Sequence, residues 1–133
     1  MRFAAVLTAA ALAVTGLMAS AAPGARAQAG DDPGAVARQI HDGCVRRGED
    51  ARVCACGVGI AYSKLEPAAF ALIPQIDPLI DERDRTRQIT GLLSVASASK
   101  LSPQQVQGAY ETIRANRATV RAVCAPLAAA RPR

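Results

Sequence analysis

Four cysteines and a single histidine are the residues of this chain best equipped for chemistry. Three of the cysteines crowd into the stretch CVRRGEDARVCAC, as Cys44, Cys54 and Cys56, and the fourth stands far downstream at Cys124. Thiols so placed can ligate a soft metal, exchange with other thiols, or crosslink the chain. His41, Cys44, Cys54 and Cys56 have the donor types of a metal site, but such a site would strand Cys124 unpaired. Cys54-Ala55-Cys56, with Arg52 beside it near a helix start, has features that lower a thiol pKa, yet no strand–helix pattern of a redox fold surrounds it. The CxxCH motif of covalent haem attachment is absent. Structural disulfides use all four cysteines in an oxidising compartment.

Four cysteines allow three connectivities. Positions two apart on a helix point about 200° apart, which argues against Cys54–Cys56. Cys44 and Cys54 lie symmetrically about residue 49, so they face each other if the stretch is an antiparallel helical hairpin, and Cys56 then joins Cys124. The exchange, Cys44–Cys56 with Cys54–Cys124, also stands, because Cys54 shares a face with Val58 and Leu65. The symmetric pairing is favoured and both remain open.

The other polar groups carry weaker signals. His41 reads as a surface histidine. No GxSxG or comparable frame surrounds any serine. The run from Asp77 to Asp84 lacks the alternating ligands and glycine of a calcium loop and is interleaved with arginines, so it reads as a solvated face. Arg114, Arg117 and Arg121 form a stripe suited to an acidic partner or simply to water, with Arg117 overlapping an apolar seam. Tyr62, Phe70 and Tyr110 are the aromatics beyond the leader and Trp is missing, which disfavours stacking on bases. No catalytic, cofactor-binding or metal set is assigned, no cofactor is implied, and no nucleic-acid partner is expected.

The compartment is read from the start of the chain. Arg2, an apolar run from Phe3 to about Ala22, and the small-x-small motif Ala25-Arg26-Ala27 mark a secretory signal peptide over 1–27. Removing it lowers the formal charge from +5 by two arginines, to +3. That modest charge bears on solubility rather than on nucleic-acid binding. The expected location is periplasmic or secreted, with no membrane span once the signal is gone.

Helices must position the cysteines. Asp32-Pro33 starts one over 33–46, with Val36, Ile40 and Cys44 on one face and Gly48 as its stop. Asp50 caps a second, to Leu65, where Gly57 and Gly59 would let another helix come close. A short helix spans 67–73 before Pro74, and Asp77-Pro78 opens a fourth over 78–97, in which Asp81–Arg85 and Asp84–Arg87 pair along the surface. Ser102-Pro103-Gln104-Gln105 is a capping box that opens a fifth over 103–124, carrying Cys124 on its buried stripe. The expected fold is all-α: a small disulfide-stapled bundle of four to five short helices after the signal peptide. Its parts are a flexible N-terminus (28–32), a helical domain (33–127) and a loose tail (128–133).

In outline the chain resembles small helical proteins exported to the bacterial periplasm, among them periplasmic immunity proteins of type VI secretion effectors. The resemblance lies in Cys44, in Cys56-Gly57-Val58-Gly59 leading into a helix, and in the Ser102 cap of the closing helix; the spacings and the CxC differ, and no membership is assigned. The expected function is a non-enzymatic interaction protein with an unknown protein partner. Alternatives are a carrier of an apolar ligand such as a lipid, and a thiol redox protein using Cys54 and Cys56.

Overall fold

A computed structural model describes residues 32–129. The signal peptide expected over 1–27 lies outside the described residues. These residues form five helices and no strand: α1 (Pro33–Arg46), α2 (Ala51–Lys64), α3 (Pro67–Ile80), α4 (Arg85–Ser99) and α5 (Pro103–Ala129).

Local chemistry sets most of the boundaries. The Asp32 carboxylate accepts from Gly34 N at 2.9 Å and Pro33 takes the first turn of α1. Gly48, at φ 89°, turns the chain out of α1, a conformation that costs glycine little. Asp50 caps α2 by accepting from Arg52 N at 2.9 Å. At α5 the capping box is reciprocal: Ser102 N donates to Gln105 Oε1 at 2.8 Å and Gln105 N donates to Ser102 Oγ at 3.1 Å.

The middle of the chain corrects the sequence reading. No break occurs at Pro74, and no helix opens at Asp77-Pro78; α3 runs through both prolines. Each proline removes an intrahelical hydrogen bond and costs roughly 3 kcal/mol in a helix interior. Burial outweighs that cost. Phe70, Leu72, Ile73 and Ile76 are buried, Ile76 completely, and Leu79 and Ile80 continue the stripe against the core. The prolines are four residues apart on the face away from Ile76, Pro74 half-buried and Pro78 exposed. Breaking the helix at Pro74 would take Ile76 out of the core. The next helix starts instead at Arg85, with Asp84 accepting from Thr86 N at 2.9 Å and Arg87 N at 3.1 Å. Asp81 and Arg85 therefore do not share a helix, whereas Asp84 and Arg87 do pair, at 3.8 Å. At the other end α5 continues past Pro126 to Ala129, since a proline so near the terminus removes few bonds.

The long helix α5 is the spine. It packs against α2, α3 and α4, while α1 packs on α2 and α3 and its backbone stays apart from that of α5. Seen end on, α1, α2, α5 and α3 occupy the corners of a four-helix array, with α1 and α5 on the diagonal. Val36, Phe70, Ile76, Val106 and Ile113 fill one core. Gln88 fastens α4 to it: its amide donates to Leu79 O, near the end of α3, and to the Tyr110 hydroxyl, both at 2.9 Å.

α4 ends on Lys100 in the left-handed region, φ 56°, and Leu101 N reaches back to Ala96 O at 3.0 Å. A side chain here strains the backbone by roughly 1 kcal/mol. Lys100→Gly should therefore raise the urea midpoint, by up to about 1 kcal/mol of stability; an unchanged or lower midpoint would show that the turn carries no such strain.

Candidate functional site

The four cysteines form two crosslinks. Cys44 and Cys54 are bonded across the α1–α2 hairpin with Cα atoms 5.8 Å apart, and Cys56 is bonded to Cys124 with Cα atoms 5.9 Å apart. Cys54 and Cys56 leave α2 in different directions, as the helical period requires, so one turn of α2 is tied to α1 and to α5. Cys54 and Cys124 are buried. Beside the second crosslink the helices nearly touch: a Cβ at Gly57 would lie 3.0 Å from Val120 Cγ1, whereas one at Gly59 would meet nothing. Close approach was expected at both glycines and occurs at Gly57. Two disulfides fit an oxidising environment, and no described helix is long and apolar enough to cross a membrane.

Next to the crosslinks a groove of about 300 Å³ opens between α1 and α5. It follows from the diagonal placement of those two helices. Gly57, Ala61, Ala125 and Ala128 are among its lining and have small side chains. Ile40, Val58, Ile73, Ile113 and Val120 give it apolar walls. Its charged lining comprises Arg47, Glu49, Asp77, Arg117 and Arg121.

Several of these charges are linked. Asp77, in the body of α3, receives Arg47 Nη2 at 3.1 Å and Arg117 Nε at 3.8 Å. Arg117 Nη2 donates to Asp81 Oδ2 at 2.6 Å. Arg117 Nη1 is buried and has no acceptor among the described residues. The hydrogen bond from Arg117 holds the Asp81 carboxyl below its usual range, with the charges of Arg117, Arg121 and Arg47 adding and desolvation opposing. The same bond raises the pKa of Arg117 against the opposing effect of its burial.

The sequence reading took Asp77 to Asp84 as one solvated face; Asp81, Arg83 and Asp84 are exposed as expected, while Asp77 is half-buried and two of the acids meet Arg117. Asp77 and Asp81 lie one turn apart along α3 and its end, turned toward α5, and Asp84 is a cap. The signal was Arg117 itself, a cation on a stripe shared with Ile113, Val120 and Cys124, which must find a partner when partly buried. The i,i+4 spacing of Asp77 and Asp81 answers it once α3 is continued through Pro78. Arg114 and Arg121 of the same stripe are exposed. His41 contacts neighbouring Asp42 at 3.3 Å. Its companions in the conceivable metal set, Cys44, Cys54 and Cys56, are all engaged as disulfides.

Two outcomes follow for stability. In the chain-entropy account, replacing Cys56 and Cys124 together by alanine should cost about 4 kcal/mol, and replacing Cys44 and Cys54 about 3 kcal/mol; denaturant unfolding of the two double variants gives the order, and the reverse order would contradict it. Asp81 acts through pH. A folded pKa below the unfolded value gives a contribution that is complete above about pH 4 and fades as the pH falls through the folded value. The carboxylate is largely exposed, so screening keeps the contribution small. Asp81→Asn should flatten the loss of stability between about pH 4 and pH 2, read as urea midpoints; an acid limb identical to that of the parent would count against the bond.

Comparison of the chain with family models, with curated proteins and with solved structures finds no match.

Proposed function

We propose that this chain is an exported, non-enzymatic binding protein, periplasmic or secreted, that takes its ligand in the groove between α1 and α5. The observation that carries the reading is the groove: four helices contribute to a walled, mainly apolar space with a few polar groups at its edge, the kind of site helical bundles use for ligands. The crosslinks support the exported part, because they bind both sides of the groove covalently and need an oxidising compartment. The alternative of a carrier of an apolar ligand draws on the same walls. A thiol redox role for Cys54 and Cys56 has less support, since the two sulfurs are bonded to different partners and Cys54 is buried.

Ala125 lines the groove and is exposed, so a large side chain there can close the opening without disturbing the core. Protein isolated from the export compartment should carry a bound species, seen by native mass spectrometry or by crosslinking from position 125. Ala125→Phe should lose that species while keeping the parent melting temperature. Retention of the same species by the blocked variant would sink the groove as the site, and so would protein that emerges with nothing bound.

A further inference from the structure

We propose that the ligand of this groove is a free single-chain amphiphile with one negative charge, its alkyl chain lying between α1 and α5 and its head against the arginines of the wall; this rests on the groove being the binding site. Size limits the apolar part. A space of about 300 Å³ holds on the order of ten water-sized groups. That is room for one medium-length alkyl chain rather than the two chains of a bilayer phospholipid. The walls suit such a chain, because Ile40, Val58, Ile73 and Ile113 offer apolar surface and Ala61 and Gly57 leave it space.

Charge selects the head. Three guanidinium groups line the groove, on Arg47, Arg117 and Arg121, against two carboxylates, on Glu49 and Asp77. Asp77 is taken up by Arg47 and Arg117. Arg121 acts on Asp81 at range and makes no ion pair or hydrogen bond among the described residues. Arg117 adds a second reason: its Nη1 is buried without an acceptor, and a buried unsatisfied donor costs roughly 1–3 kcal/mol. A carboxylate brought to this wall, with a small shift of the Arg117 side chain, supplies the missing acceptor. Glu49 opposes, acting on Arg117 from a distance. Among the lining residues the excess is a single positive charge, and Asp81, just outside the lining, is already bound to Arg117; the cation left for a ligand is Arg121, which suits a monoanion better than a dianionic phosphate. A guanidinium recognises such a head through paired N–H donors.

The test uses the full mature chain with both disulfides intact and three probes of equal chain length: decanoate, decanol and decyltrimethylammonium, each below its micelle concentration. Binding is followed by calorimetry and by amide shifts of the groove residues. Decanoate should bind one-to-one, about fivefold or more tighter than decanol, a difference of roughly 1 kcal/mol, and the cationic probe should bind most weakly. Arg121→Gln, on an exposed side chain outside the ion-pair chain, should bring decanoate close to decanol. Ala125→Phe should abolish binding of all three. Equal affinities for the three heads, all lost in Ala125→Phe, would overturn the anionic head and leave the groove as the site. Binding that survives Ala125→Phe would overturn both. No binding of any probe would overturn the amphiphile, while the species isolated with the protein from its compartment still decides for or against the groove.

Discussion

Everything in this bundle depends on α2 being held at one turn from two sides. Cys54 faces back to α1 and Cys56 faces forward to α5. The backbones of α1 and α5 stand apart, yet the two helices are covalently linked through α2. This matters because the core is modest. Most of its buried side chains are aliphatic and two, Ala61 and Ala96, are alanine, and each large one contributes roughly 1.5–3 kcal/mol against the entropy of ordering the chain. A core of that size does not readily tolerate an unfilled seam, since voids forfeit packing energy. The crosslinks shift that balance by lowering the entropy of the unfolded chain. They let α1 and α5 stand apart without the surrounding helices having to collapse into the gap.

Charge placement follows the same geometry. Arg117 lies where the apolar stripe of α5 passes from filled core to open groove. Deeper in the core it would need a fully buried counter-ion, which is costly. At this boundary it keeps about a fifth of its side chain exposed (22%) and reaches two carboxylates of α3 and its end. The pairing fixes how α3 lies along α5, because Asp77 and Asp81 both answer one guanidinium. Gln88 does the corresponding work for α4 with a neutral side chain, satisfying a carbonyl near the end of α3 and a buried tyrosine hydroxyl together.

How much of this was legible depended on how local its cause was. The span of α1, the capping box at Ser102 and the stop at Gly48 came from short-range chemistry and could be read directly. The pairing of Cys44 with Cys54 was favoured because a hairpin is nearly local too, although the exchanged connectivity had no local argument against it. The failure lay in α3. Pro74 and Pro78 are strong local breakers, and the force that overrides them is burial of Ile76 and its neighbours against helices distant in sequence. That error concealed the Asp77–Arg117–Asp81 arrangement, because continuing α3 through both prolines sets which way Asp77 and Asp81 face relative to α5. The groove was invisible for a related reason: it arises from the diagonal separation of α1 and α5, which no window of sequence contains.

The second crosslink closes a loop that contains all of α3 and α4, and no covalent tie reaches inside it. α4 leaves Ile89 and Leu93 about half exposed and is attached through Gln88, through Leu92, Val95 and Ala96, and where Gly91 meets the Leu79 side chain. The described residues are thus joined unevenly: α1, α2 and α5 are sulfur-bound, while α3 and α4 are held by packing, hydrogen bonds and ion pairs alone, where local opening costs least.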